Sequence, residues 1–251
     1  MNDIKFRLIL SLFILTPILL KAQTPKKTGD PALSEIWSPV PKVIAAGKTP
    51  GDAPSDAIVL FNGKDLASWV LKDGKPAGWT VDNGVLTVNP RTGDIQTKQG
   101  FGDCQLHIEW RTPSVVSGTG QGRGNSGIFL MGRYELQVLD SYNNSTYSNG
   151  QAGSVYKQHI PMVNVSRAPG DWQTYDVIFI APQFYEGGAL KSAARMTVLH
   201  NGVLIQNNVS LWGSMSFIGI PEYQKHNVKE PIILQDHHNP VSFRNIWIRE
   251  L

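Results

Sequence analysis

Cysteine, long apolar spans and blocks of like charge are all scarce in this 251-residue chain. The single cysteine, Cys104, excludes a disulfide framework, and no cysteine stands where a lipid could be attached after export. The longest apolar run, Leu8–Leu20, offers about 13 positions where a membrane span needs about 20. Lys5 and Arg7 precede it and Leu20-Lys21-Ala22 ends it, so residues 1–22 read as an export signal cleaved after Ala22. Export without disulfides points to a periplasmic or secreted location in a bacterium, with no membrane span. The formal charge is +3, and Lys5, Arg7 and Lys21 against Asp3 place most of it in the signal. No run of Lys and Arg interleaved with aromatics appears, which excludes a nucleic-acid footprint. A Gly-x-Gly-x-x-Gly redox-nucleotide fingerprint is missing too. The glycine-rich Gly118–Asn125 lacks the strand-to-helix context and the Lys-Ser/Thr of a phosphate cradle. Its glycines suit a rim where backbone runs close to a ligand. No window carries a convincing helical stripe.

What is present is short alternation. Between residues 23 and 55, Pro25, Pro31, Pro39, Pro41, Pro50 and Pro54 break any regular element and predict an extended arm. From residue 56 to the C-terminus, strands are expected at 58–61, 79–82, 85–88, 94–97, 104–112, 126–139, 172–181, 194–200, 203–209, 232–235 and 241–249. Asn83-Gly84 and Asn201-Gly202 are hairpin signals, because Asn-Gly accepts positive φ at low cost. The pattern predicts an all-β domain, a two-sheet antiparallel jelly-roll sandwich.

Three segments concentrate polar chemistry. The run Gly124–Asp140, read as one strand after a turn, puts Arg133, Glu135 and Gln137 on one face, with Asp140 just beyond. Tyr134, Leu136 and Val138 fill the other face. The strand Gln105–Arg111 sets His107, Glu109 and Arg111 opposite Leu106, Ile108 and Trp110. On a concave face such a row is a set of mutually tuning ionisable groups; on an outer face it is a solvated row of weak ion pairs. The third segment, Gln235-Asp236-His237-His238-Asn239-Pro240, holds metal-ligand and proton-transfer types. Equally, Asp236 and Asn239 suit a turn that caps its own backbone. Val155-Tyr156-Lys157 supplies a phenol and an amine, while Tyr142, Tyr147, Tyr156 and Trp172 offer faces on which sugars stack. Trp79, Trp110 and Trp247 are expected in the core.

Longer motifs carry a resemblance. Leu60-Phe61-Asn62-Gly63-Lys64-Asp65-Leu66, Gly93–Lys98, the run GRGNSGIFLMGRYELQVLDSY, Pro169–Asp176, His200–Val203 and LQDHHNPVSFRNIWIREL together resemble the 3-keto-disaccharide hydrolase family. The likeness covers residue 56 to the C-terminus. His238 stands where the family's LQDHG turn more usually carries glycine. The resemblance implies a concanavalin A-like jelly roll of the lectin and glucanase type, found in exported bacterial proteins. It also implies a 3-keto-glycoside substrate, oxidised beforehand by a separate sugar oxidoreductase. The C3 ketone acidifies the C2 hydrogen; deprotonation expels the C1 substituent, and hydration completes a net hydrolysis. By resemblance Glu135 is the base, with His237 and Glu109 as acid/base partners and Arg133 and Lys157 facing the enolate. Asn125, Gln137, Asp140 and Gln235 would hold hydroxyls, and His107, Tyr156 and Trp172 complete the sugar-contacting set. A divalent cation held by Asp236, His237 and Glu135 is an alternative electrophile; no other cofactor is implied. Two other functions stay open. One is a non-catalytic, lectin-like carbohydrate-binding module. The other is an endo-glucanase, although Glu-x-Asp-x-x-Glu would fall on Glu135, Gln137 and Asp140 and lacks its middle carboxylate.

Overall fold

The computed structural model describes residues 28–251, so the expected export signal lies outside the described residues. The chain divides into two units, Met1–Val43 and Ile44–Leu251. The described part of the first unit is exposed and holds one 3-10 turn, Pro31–Ser34, capped by the Asp30 carboxylate. No described helix is long and apolar enough to cross a membrane.

Alternation in the second unit folds into short strands: β1 (Ile58–Phe61), β2 (Trp69–Leu71), β3 (Thr80–Asp82), β4 (Val85–Thr87), β5 (Ile95–Phe101), β6 (Cys104–Arg111), β7 (Ser126–Leu130) and β8 (Tyr134–Val138). They continue as β9 (Gln173–Ile180), β10 (Gln183–Phe184), β11 (Leu190–Ser192), β12 (Arg195–His200), β13 (Val203–Ser210), β14 (Glu230–Leu234) and β15 (Ser242–Glu250). An eight-stranded antiparallel sheet runs β13-β12-β9-β6-β15-β4-β3, with β1 also pairing β15. A five-stranded sheet runs β2-β5-β14-β7-β8. The two expected Asn-Gly turns join β3 to β4 and β12 to β13, with Asn83, Gly84, Asn201 and Gly202 all at positive φ. The protein is the all-β, two-sheet jelly-roll sandwich.

Apolar inner faces meet between the sheets. Leu106, Ile108 and Trp110 of β6 and Tyr175, Val177 and Phe179 of β9 are fully buried. So are Ile95, Ile128, Tyr134, Leu136, Val138 and Leu234 of the smaller sheet. This parity leaves the next residues along each strand on the outer faces. Residues 44–55 cross the outer face of the larger sheet, where the Gly51 carbonyl accepts from Asn245 Nδ2 at 2.8 Å and Trp247 Nε1 at 2.9 Å.

The expected continuous strand 126–139 is instead a hairpin. Met131 and Gly132 both have positive φ, and Arg133 N–H donates to the Leu130 carbonyl at 3.1 Å, closing a two-residue turn. Gly132, set in an otherwise apolar run, is the signal that breaks the strand. Arg133 therefore leaves the row of Glu135 and Gln137.

Candidate active site

The outer face of the five-stranded sheet carries two cross-strand rows. Register places Gln96, Ile233, Phe129 and Glu135 side by side across β5, β14, β7 and β8. In the next row Gly127 pairs with Gln137, and Gln235 N–H donates to the Gly127 carbonyl at 3.0 Å. Glycine at 127 opens room for the neighbouring carboxyl. A Cβ there would stand 2.6 Å from Glu135 Oε1 and 2.8 Å from the Phe129 ring. Asn125, Glu135, Gln137, Tyr156, Gln235 and His237 line a cavity of about 300 Å³ over this face, with Met215 and Phe217 as a further wall.

Glu135 is 4% exposed, and its carboxyl has no hydrogen-bond partner among the described residues. Burial, reinforced by the negative charge of Asp94, pushes its carboxyl up to about 8. Asp94 is itself raised, first by burial, while the hydrogen bond from Asp236 N–H and, more weakly, His237 and Lys72 oppose the rise. Two side-chain amide oxygens here, Gln137 Oε1 and Gln235 Oε1, are buried without a partner. A buried acceptor left unpaired costs about 1–3 kcal/mol, so both amides carry an unmet demand for a donor. The other end of Gln137 is fixed: its Nε2 donates to Gln121 Oε1 at 3.1 Å and Asn125 Oδ1 at 3.4 Å. Gln121 is held in turn by bonds to Thr146 Oγ1 and the Gly150 carbonyl, and Asn125 Nδ2 donates to the Gln121 carbonyl. The glycine-rich segment thus folds as a rim that orients Gln137. At the opposite wall, Tyr156 and Tyr147 share a 2.6 Å hydroxyl contact, and burial pushes the Tyr156 phenol up.

Of the residues expected at the site, Asn125, Glu135, Gln137, Tyr156, Gln235 and His237 share this cavity. Lys157 sits beside it: its ammonium donates to the Phe217 carbonyl at 3.1 Å and lies 4.6 Å from the Phe217 ring centroid. Others lie elsewhere. Arg133, turned out by the hairpin, pairs with Glu230 at 2.8 Å. Asp140 binds Arg123 at 2.6 Å and borders a separate, smaller cavity with His238. His107, Glu109 and Trp172 belong to the outer face of the larger sheet, with the core between them and the cavity. There His107 Nδ1 meets Asp176 at 2.7 Å, Glu109 binds Arg244 at 2.6 Å, and Trp172 lies under the guanidinium groups of Arg111 and Arg244. Strand parity separated the faces of β6 but carried no information on which sheet it joins.

The proposed cation ligands do not assemble either. The Asp236 carboxylate turns inward to accept from Gly93 N–H at 3.1 Å and His238 N–H at 2.9 Å. Asn239 Nδ2 donates to the His237 carbonyl at 2.9 Å within the turn, while its Oδ1 accepts from Gly124 N–H of the glycine-rich segment at 2.9 Å. Among the described residues no three His, Cys, Asp or Glu side chains group so as to hold a metal ion. Asp94, Gln121, Met215 and Phe217 were not anticipated. Asp94 lay within a recognised motif, but nothing about its spacing tied it to Glu135.

A second cavity, of about 580 Å³, adjoins the first; Met215 and Gln235 line both.

Residues 56–249 match the family described as the 3-keto-alpha-glucoside-1,2-lyase-like domain. A protein of Parabacteroides distasonis provisionally assigned as a glycosyl hydrolase is 51% identical, with a TM-score of 0.86 over 90% of this chain and 100% of that one. Another provisionally assigned glycosyl hydrolase from the same organism is 22% identical, with a TM-score of 0.56 over 78% of this chain and 94% of that one; it shares the fold. No curated protein matches the chain. The match extends through the whole sandwich and includes the strands that carry Glu135, Gln137 and Gln235, and the chain belongs to the 3-keto-alpha-glucoside-1,2-lyase-like family.

Proposed function

We propose that this protein cleaves 3-keto-glycosides by removing the C2 proton, expelling the C1 substituent and then adding water. The observation that carries this reading is the Glu135 carboxyl, buried without a hydrogen bond and pushed up to about 8. A carboxylate of raised basicity is matched to a carbon acid activated by a neighbouring ketone, and is stronger than hydroxyl recognition requires. Family membership and the paired orphan amide oxygens support a sugar-sized, hydroxyl-rich ligand beside it.

In this scheme Glu135 takes the C2 hydrogen as a proton, and the C2–H electrons become the enolate. The Gln235 side-chain amide, without a partner among the described residues, offers an N–H to the C3 oxygen as charge develops there. Gln137 Oε1 accepts from a ring hydroxyl. The enolate reforms the ketone and breaks the C1–O bond, and the departing oxygen takes a proton from His237. Water then adds at C1 of the enone and returns a proton to His237, while Glu135, its proton exchanged with solvent as the leaving group departs and water enters, delivers a solvent-derived proton to C2. Atoms and charge balance, and both side chains are regenerated. A separate oxidoreductase supplies the ketone.

The test is turnover of a 3-keto-glucoside with a chromogenic leaving group, set against the unoxidised parent. Release from the keto sugar alone supports the scheme. Release from both at similar rates contradicts it. Release from neither, with binding intact, favours the lectin-like reading.

A further inference from the structure

We infer that the larger cavity is the leaving-group subsite and that it is built for a flat apolar aglycone, an aryl group, in preference to a second sugar ring. This deepens the proposed function and rests on it. The two cavities form one groove, since Met215 and Gln235 line both, and the row Gln96–Ile233–Phe129–Glu135 runs from the larger cavity to the carboxyl. A glycoside with its ring over Gln137 and C2 at Glu135 therefore has only one direction along the row for its C1 substituent. About 580 Å³ is ample for an aromatic group.

The walls decide its chemistry. Leu71, Phe129, Ile233 and Met215 present apolar surface, Gly93 and Gly132 interrupt it with bare backbone, and Lys72, Thr92 and Gln96 add polar groups to the lining. The carboxylates at its edge are already engaged: Asp73 holds the Lys75 ammonium at 2.6 Å, and Asp94 accepts from Asp236 N–H at 2.8 Å. Gln137 Oε1, an orphan acceptor that would select hydroxyls, lines the smaller cavity alone, and Gln235 stands at the junction. A sugar ring in the larger cavity would strip water from its hydroxyls against Phe129 and Ile233. A flat ring there buries only apolar surface.

Calorimetry tests this with unoxidised glucosides, which the proposed chemistry leaves uncleaved. Phenyl glucoside should bind at least about tenfold more tightly than a glucose disaccharide of the same anomer. Leu71→Ser and Met215→Ser, one on an edge strand and one in a loop, should each bring the two affinities within about threefold. The same variants should shrink the aryl-to-disaccharide ratio of kcat/KM on 3-keto substrates, a comparison in which leaving-group acidity cancels. Equal affinities in the natural protein, or a ratio that neither substitution moves, would overturn the assignment. Turnover of 3-keto-glycosides without aryl preference sinks the subsite and leaves the chemistry standing. Aryl preference without turnover of any keto sugar upholds the subsite and removes the chemistry.

Discussion

Gly127 of β7 is the diagonal neighbour of Glu135 on β8, and the missing Cβ of the first is the space that the carboxyl of the second occupies. With a Cβ only 2.6 Å from Glu135 Oε1, Gly127→Ala forces the carboxyl and the Phe129 ring to shift. The obstruction is side-chain atoms, so the cost to folding is about 1–3 kcal/mol. The cost to catalysis is larger, because a displaced base loses its line to C2. Steady-state kinetics should show kcat on a 3-keto-glycoside falling about a hundredfold, with the thermal transition still cooperative.

Raised basicity makes two pH predictions. As the free enzyme's base, Glu135 is mostly protonated below its pKa of about 8, so kcat/KM should climb as pH rises through that value. Stability moves the other way. The unfolded chain releases this proton at ordinary carboxylate pH while the folded chain keeps it, so the folded-state advantage is full below the unfolded pKa. It is lost as pH rises toward about 8. Glu135→Gln removes that dependence. Chemical denaturation at pH 5 and pH 9 should show the variant losing less stability with pH than the natural protein, by an amount on the order of 4 kcal/mol.

Gln121 touches no substrate in this scheme and acts by holding Gln137 Nε2 at 3.1 Å. Gln121→Ala should raise KM about tenfold with little change in kcat, the loss of one fixed hydrogen-bonding contact. Gln121→Glu keeps an acceptor for Gln137 and should restore most of the affinity. An equal fall in kcat for both variants would mean that Gln121 merely supports the loop.

Glu109 gives a contrasting case on the far face. Burial raises its carboxyl, but the Asn245 amide and the Arg244 guanidinium outweigh this and hold it below the usual range. Its contribution is therefore present above the unfolded carboxylate pKa and fades as pH falls through the lowered one. Glu109→Gln should cost about 1 kcal/mol at neutral pH, since Arg244 is partly solvated, and leave turnover within about twofold.

The sequence made some of this geometry readable and hid the rest for identifiable reasons. Alternation in β8 shows Glu135 and Gln137 opposite Tyr134, Leu136 and Val138, because side-chain direction in a strand is local. Which outer face belongs to the site is not local. It depends on β6 pairing with β9 and β15 rather than β8, so His107 and Glu109 look equivalent to Glu135 until the sheets are known. The turn at Met131-Gly132, within an otherwise strand-like apolar run, takes Arg133 out of the alternation that holds Glu135 and Gln137. His238 has positive φ, a conformation that suits the glycine the resemblance implies at this turn, and it borders a different cavity from His237. Asp94 reaches Glu135 only through the adjacency of β5, β14 and β7, a long-range relation that no spacing encodes.

The most direct measurement is the fate of the C2 hydrogen. A 3-keto-glucoside turned over in D2O, with the product trapped by reduction before spontaneous exchange, reports it by NMR. Deprotonation by Glu135 predicts deuterium at C2 of the sugar product at the rate of leaving-group release, with both lost in Glu135→Gln. Sugar released at full rate with its original C2 hydrogen retained would contradict the elimination, because the C1–O bond would then have broken without the enolate.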